Sequence, residues 1–289
     1  MAAARASIGM PVFNLERTVA RAIESVLDQT CGDVELLVSD NASTDGTEAI
    51  CRRYAARDPR IHYTRQPVGL GVVENFRFVL EAAGTAYFMW LAADDYVRPP
   101  LVQQALAVLE ARDDVVCAAP RVEFLDPDGS RRPAPDGQAL LGSVHENLCR
   151  FLRDPLDNSR FYGLYRRDVL RRVFPPSIYY GFDWTVTAGT LLYGKHAQLD
   201  EVLLVRETTE PRQYMRLIDD APGRLARLLP LTRFTRAVLT ELRVAPHPRV
   251  LYALFRLNAL HHVLYCRYRY PRYGRLAYRL ALIAKRLGA

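Results

Sequence analysis

Lysine is almost missing from this chain of 289 residues: Lys195 and Lys285 are the only two, so nearly all its positive charge is arginine. Cysteine is also scarce. The five present (Cys31, Cys51, Cys117, Cys149, Cys266) are odd in number, scattered and without C-x-x-C spacing. That argues against a disulfide framework and a structural zinc site, and a reducing, cytosolic setting is expected. No uncharged apolar run approaches the ~18 residues a membrane span needs. Met1 to Ile8 holds one arginine and no apolar core of a secretory signal. Nucleotide fingerprints are wanting too: Gly69-Leu70-Gly71 is too short for a dinucleotide loop, and no Gly-Lys-Ser/Thr occurs. His261 and His262 are adjacent, point to different helix faces and make a poor metal pair, so structural roles are expected.

What is present is unevenly distributed. The formal net charge is +7, yet residues 211–289 carry 16 Lys+Arg against 3 Asp+Glu, whereas the first 210 carry 23 against 29. Basicity therefore belongs to the C-terminal part, and any polyanion or membrane argument belongs there as well. A hydrophobic fraction of 49% is ample for a packed core.

The first half alternates short apolar runs with helical spacing, the pattern of a parallel α/β sheet with crossover helices. Strands are predicted at Ser7 to Val12, Val34 to Val38, Ile61 to Thr64, Tyr87 to Leu91 and Val115 to Val122. Helices fall between them, the first through Val19, Ala22, Ile23, Val26 and Leu27. Pro99 and Pro100 suit the first turn of a helix, and Asp126-Pro127-Asp128-Gly129 a tight turn. Further on, helices are expected at Val144 to Leu152, at Arg166 to Val173 and from Asp183 through Leu192, then a closing strand at Val202 to Val205. From Pro211 arginine-studded helical segments take over, so two regions are expected: 1–210 and a basic helical extension, 211–289.

In such a sheet, ligands bind beyond the carboxyl ends of the strands. Asp40 ends the second strand, and Asp94 and Asp95 follow the fourth, so three carboxylates would meet in one crevice. Bare carboxylates repel a phosphate-bearing ligand unless a hard cation, Mg²⁺ or Mn²⁺, sits between them. A metal-bound diphosphate makes a stabilised leaving group. Asp40 alone is also compatible with a turn or cap; the adjacent pair is harder to explain that way, because only one of two neighbouring acids can cap.

Three ordered segments, Pro11-Val12-Phe13-Asn14, Leu37-Val38-Ser39-Asp40-Asn41-Ala42-Ser43-Thr44-Asp45-Gly46-Thr47 and Tyr87-Phe88-Met89-Trp90-Leu91-Ala92-Ala93-Asp94-Asp95, resemble the inverting family 2 glycosyltransferases of GT-A fold over roughly residues 5 to 205. The resemblance implies a GT-A, Rossmann-like, mostly parallel sheet flanked by helices, with a C-terminal helical extension. It implies a nucleoside diphosphate sugar donor, a glycan or lipid-linked acceptor and a role in surface polysaccharide biosynthesis. By position it gives nucleoside contacts to Pro11, Phe13, Asn14 and Asp40, and the metal to Asp94, with Asp95 as a supporting acid. Ala92 departs from the acid that opens the family's D-x-D motif. The family's general base falls on Asp183, in Gly181-Phe182-Asp183-Trp184; its other reading is a helix N-cap. Asn75 and Arg77 are candidates for the nucleotide or diphosphate. Arg206 is followed by Glu207 and Thr208 where members often carry Arg-x-His, so a third metal ligand is not expected there.

The tail sets Leu276, Leu280, Ile283 and Leu287 on one helical face and Arg272, Arg275, Arg279 and Arg286 on another. This composition suits either an anionic membrane surface at the cytoplasmic face or a helix packed on the catalytic domain; nucleic acid ranks last. The rival to an enzyme is a non-catalytic scaffold binding a nucleotide sugar or polyanion, which Ala92 and Thr208 keep open. A sugar nucleotidyltransferase would need a glycine-rich N-terminal loop that the chain lacks.

Overall fold

The computed structural model describes residues 4–135, 137–153, 158–208, 229–242 and 247–269. Its centre is a nine-stranded sheet in the order β3-β2-β1-β4-β8-β6-β9-β5, with β7 paired to β6. The strands are β1 (Ala6–Val12), β2 (Val34–Asp40), β3 (Ile61–Arg65), β4 (Tyr87–Trp90), β5 (Tyr96–Val97), β6 (Val115–Leu125), β7 (Arg131–Pro133), β8 (Leu164–Arg166) and β9 (Lys195–Glu207). β1 to β4 are mutually parallel, as are β6 and β9, while β8 joins the two groups antiparallel to both β4 and β6. β1 is buried at every residue, which is why it reads as a continuous apolar run rather than an alternation.

Helices α1 (Val19–Leu27), α2 (Thr47–Ala55), α3 (Val72–Ala82) and α4 (Leu101–Ala111) cover the sheet. α1 turns Val19, Ala22, Ile23 and Val26 inward, the spacing expected of it. Full burial of Ile23 or Val26 stabilises by about 1.5–3 kcal/mol each. α4 starts one residue after Pro100 rather than around it. The Gln29 side chain accepts from the Val102 N–H at 3.0 Å and so satisfies one orphan donor of its first turn.

Gly9 in β1 permits a close approach: a methyl there would meet the Phe88 ring at 2.5 Å and Val79 at 2.7 Å. Beneath the sheet Trp90 stacks on Phe161 with ring centroids 4.7 Å apart and 2° between planes. Its indole N–H donates to the Phe76 carbonyl at 3.0 Å.

Three elements differ from the sequence expectation. The Asp126–Gly129 turn forms as expected, with Gly129 at φ +83°, but it opens a hairpin into β7, a strand that was not expected. Residue 166 closes a three-residue strand, β8, before α6 (Arg167–Val173) begins. β9 spans 13 residues instead of four because its first half, interrupted by Gln198, Asp200 and Glu201, pairs with β6 through register shifts. A strand of three residues, or one with polar interruptions, carries too little periodicity to be read from sequence.

α5 (Val144–Arg153) and α7 (Phe182–Thr190) match their expected positions, and a 3₁₀ turn, Ser159–Tyr162, lies between them. α8 (Thr232–Arg236) continues into a π-helical turn, Ala237–Glu241, and α9 (Pro248–Arg269) follows. These helices do not stand apart: Leu231, Phe234, Val250 and Leu254 join Phe182, Trp184 and Trp90 in one hydrophobic core. His261 is buried against Trp184 and shares a 2.7 Å hydrogen bond with the Tyr180 hydroxyl, the structural role expected of it. The boundary near residue 210 and the tail residues 272–287 lie outside the described residues.

Candidate active site

The site begins with a proline. The Leu91 N–H donates to the Gly9 carbonyl at 3.0 Å. In a parallel ladder the next bond would run from residue 11 back to Leu91. Pro11 has no N–H to give, so β1 and β4 part there while β1 stays paired to β2 through Val12 and Asp40. Strand order also reverses between β1 and β4, and this is where open α/β sheets bind ligands.

Around that gap the chain is bent. Asn14 (φ 52°) and Ala42 (φ 60°) are the only described non-glycine residues in the left-handed region; for Ala42 this conformation costs of order 1 kcal/mol or more. The two bends are tied together. Asn14 Oδ1 accepts from Thr44 N–H at 2.8 Å and its own N–H donates to Ser43 Oγ at 3.0 Å. Asn41 bonds both the N–H and the carbonyl of Leu70, bringing the short Gly69-Leu70-Gly71 loop to the same rim. Phe13 is 54% exposed on this rim, an unusual position for a phenylalanine and a suitable one for stacking on a flat ring. Pro11 is buried in the strand and shapes the gap rather than lining it.

Asp40 behaves differently from the expectation. It is completely enclosed. Oδ1 accepts from Ser43 N–H at 2.9 Å, and Oδ2 from the Tyr63 hydroxyl at 2.8 Å and Arg65 at 3.0 Å. Burial would raise this carboxyl, but the bonds from Ser43, Tyr63 and Arg65 outweigh it and hold the group below its ordinary range. Its oxygens are engaged by the 40–44 turn and by β3, so it supports the Asn14/Ser43 rim from beneath. Asn75 is likewise buried, exchanging bonds with the Ser39 hydroxyl (2.6 Å) and carbonyl (3.1 Å); it pins α3 to β2. Arg77 donates to the Pro175 carbonyl and lies over the Phe174 ring at 5.2 Å, bracing the segment after α6 instead of reaching the crevice.

The acidic pair divides. Past Trp90 the chain turns so that the Asp95 N–H meets the Ala92 carbonyl at 3.0 Å. Asp95 is buried; Oδ1 accepts from the Glu207 N–H at 3.0 Å and Oδ2 faces Arg206 at 3.3 Å. Burial pushes its carboxyl up to about 7 against the pull of Arg206. Asp95 thus anchors β9 to the turn. Asp94 is half-exposed, and burial raises its carboxyl as well. Its backbone carbonyl is fixed by Arg21 at 3.0 Å, and Arg21 in turn pairs with Glu207 at 2.5 Å. Among the described residues no cation lies within ion-pair distance of the Asp94 carboxylate.

Asp183 lies on α7. The cap of α7 is Gly181, at φ +88°, with no side-chain capping bond, so the N-cap reading of Asp183 is not what the helix uses. Asp183 sits half-buried in the first turn, where the helix dipole favours its charged form. The Asn158 amide donates to Asp183 Oδ2 at 3.2 Å and accepts from the Thr187 hydroxyl at 3.0 Å.

Tyr162 links the two halves. Burial drives its phenol up, Arg206 opposes this, and Asp95, Asp94 and Asp183 all add to the rise. Two carboxylates of the turn after β4 and one of α7 therefore act on one phenol, and the Arg206 guanidinium lies over its ring at 4.7 Å. Tyr162, Arg206, Arg21 and Asn158 were not chosen from sequence. Arg206 had a signal, a cation closing an apolar strand; Arg21 and Asn158 had none.

No cluster of three His, Cys, Asp or Glu side chains that could cage a metal exists among the described residues. A single half-exposed carboxylate, Asp94, at the mouth of a crevice suits Mg²⁺ or Mn²⁺, which commonly take one or two protein carboxylates and complete their shell with phosphate and water.

An α/β sheet split at its switch point, with Asp94 beside the gap, is the frame of a nucleotide-dependent transferase of GT-A type, and the comparisons with known proteins agree. The profile of glycosyl transferase family 2 matches residues 7–174, and the chain belongs to that family. Similar proteins include EpsE of Bacillus subtilis (strain 168), 34% identical over 143 residues, 49% of this chain and 50% of that protein. Chondroitin synthase of Pasteurella multocida (strain Pm70) is 27% identical over 124 residues, 43% of this chain and 13% of that protein. The chain spans about half or less of the length of such curated relatives. Among solved structures, the mannosyltransferase PcManGT of Pyrobaculum calidifontis, in complex with GDP-Man and Mn²⁺, superposes with a TM-score of 0.61 at 18% identity, covering 100% of this chain and 77% of that one. S. aureus TarS 1-349 in complex with UDP-GlcNAc gives 0.60 at 17%, covering 98% and 92%. At these identities the likeness establishes the GT-A fold.

Proposed function

We propose that this chain is an inverting glycosyltransferase that moves a sugar from a nucleoside diphosphate sugar to a hydroxyl of a glycan or lipid-linked acceptor, in the making of a surface polysaccharide. The observation that carries this reading is geometric: Asn158, at the start of the 3₁₀ turn, bonds Asp183, while Tyr162, at its end, lies under Arg206, which faces Asp95 next to Asp94. The nucleoside would lie on the Asn14/Ser43/Leu70 rim against Phe13, placing the diphosphate over the β1/β4 gap beside Asp94. Asp94 would hold Mg²⁺ or Mn²⁺ there, and the ion would supply Lewis-acid stabilisation of the departing diphosphate. Asp183 takes the proton of the acceptor hydroxyl as that oxygen bonds to the anomeric carbon, and the bond from that carbon to the diphosphate oxygen breaks. Asn158 holds the carboxylate in place for that transfer. Arg206 lies where negative charge would develop. The complexes of PcManGT with GDP-Man and of TarS with UDP-GlcNAc support a nucleotide-sugar donor.

Two substitutions test the assignment separately. Asp183→Asn should lower transfer by a factor of about 10² to 10⁴, the usual worth of a general base, while nucleotide affinity stays within about threefold. Asp94→Ala should abolish the gain in nucleotide affinity that Mn²⁺ gives the parent. Unchanged turnover in both variants refutes the mechanism; metal-dependent binding without turnover of any nucleotide sugar points to the scaffold.

A further inference from the structure

α9 runs 22 residues without one aspartate or glutamate. Its inward residues, Val250, Leu254, Leu257, His261 and Tyr265, are buried in the shared core. One turn of its outward face shows the opposite: Tyr252 is 63% and Phe255 68% exposed, with Leu251 exposed beside them. The Arg256 guanidinium lies 5.8 Å over the Tyr252 ring. At the amino end of the same helix, a cleft against α5 is lined by His145, Arg150, Arg153, His247 and Arg249. The carboxylate in that cleft, Glu146, is spent on the Ser143 hydroxyl and N–H in a capping box. Aromatic rings in the open, beside a cleft whose cations outnumber its one carboxylate, Glu146, are expensive to leave in water and match the interfacial layer of an anionic bilayer.

We propose that the outward face of α9, together with this cleft, seats the protein on an anionic membrane surface, rings at headgroup depth and arginines on lipid phosphates. Charge decides against the other occupants. A second copy across a two-fold axis would set arginines against arginines, and residues 270–289 carry five basic residues and no acid. No described helix is long and apolar enough to cross a membrane, so the contact is peripheral.

The test is sedimentation of the full chain with phosphatidylcholine vesicles, with and without phosphatidylglycerol. The parent should partition onto the anionic vesicles and only weakly onto the neutral ones. Arg249→Gln/Arg256→Gln should weaken that partitioning roughly 30-fold, from ~1 kcal/mol per basic residue at the surface. Tyr252→Ser/Phe255→Ser should weaken it by about tenfold or more. All four side chains are exposed or at the surface, so unfolding midpoints should match the parent. Equal recovery on both lipids overturns the proposal. So does parental binding by both variants, or loss only in Arg272→Gln/Arg275→Gln, or the same substitutions abolishing dimerisation or single-stranded oligonucleotide binding in place of lipid binding. The assay contains no donor, so its outcome is independent of whether the proposed transfer occurs.

Discussion

Removing the Asp40 carboxylate should unfold the protein more readily before it weakens nucleotide binding for any other reason. Asp40 is fully enclosed and accepts from Ser43 N–H, Tyr63 Oη and Arg65 Nη1. Asp40→Ala leaves a buried amide, a half-buried phenol and a guanidinium without their acceptor. Breaking a buried ion pair from one side costs about 3–5 kcal/mol. Arg65 is about one-third exposed and can turn to Glu48, already 3.2 Å away, so the lower end, about 3 kcal/mol, is expected. At about 2–4 °C per kcal/mol in domains of 150–250 residues, the melting midpoint should fall by roughly 6–12 °C. Asp40→Asn keeps the shape and loses the charge, and should fall about half as far. The sign with pH follows from the carboxyl lying lower in the folded chain than in the unfolded one. Its contribution is present above about pH 4 and is lost as pH drops through the folded value, so parent and variant midpoints should converge in acid. Differential scanning fluorimetry from pH 3 to 8 beside UDP and GDP titrations reads both effects. An Asp40→Ala midpoint within about 1 °C of the parent, together with a tenfold loss of nucleotide affinity, would refute the scaffold role and restore the direct nucleoside contact.

Trp90→Ala removes a fully buried ring stacked on Phe161 and should cost about 3–5 kcal/mol by urea unfolding, with transfer reduced because Phe161 precedes Tyr162. Gly181→Ala puts a side chain at φ +88° with Leu231 3.1 Å away. A loss of about 1–2 kcal/mol is expected, and an unchanged unfolding curve would show that the left-handed cap is dispensable. Asn158→Ala frees Asp183 from its brace; kcat should drop by about tenfold while the donor KM holds, and a change confined to KM would place Asn158 with the donor instead.

Much of this site was legible because its elements announce themselves locally. α1 shows its buried stripe in spacing alone, β1 and β2 are short apolar runs closed by Pro11 and Asp40, and Asp94 follows an apolar strand directly. The fates of Asp40 and Asp95 were not legible. The partners of Asp40 lie 23 and 25 residues onward, on β3, and become neighbours through parallel pairing of β2 with β3. Asp95 is claimed by residues 111 and 112 positions away because β5 pairs with β9. Asn75 and Arg77 share one helix two residues apart, and nothing in their spacing tells that one points at Ser39 and the other at Pro175.

The sequence by itself determined the class of fold, the order of the strands and helices of its first half up to β4, and the presence of acids at strand ends, since these follow from short-range periodicity and from where a strand stops. Tertiary structure alone decided which acids remain available. A carboxylate is a ligand only if its oxygens are not already satisfied, and satisfaction depends on donors brought by pairing across the sheet. That is how the Asp94 carboxylate was left without an ion-pair partner among the described residues while Asp40 and Asp95 were drawn into the frame around it, and why an outward helix face bearing Tyr252 and Phe255 could be seen only once the inward one was packed.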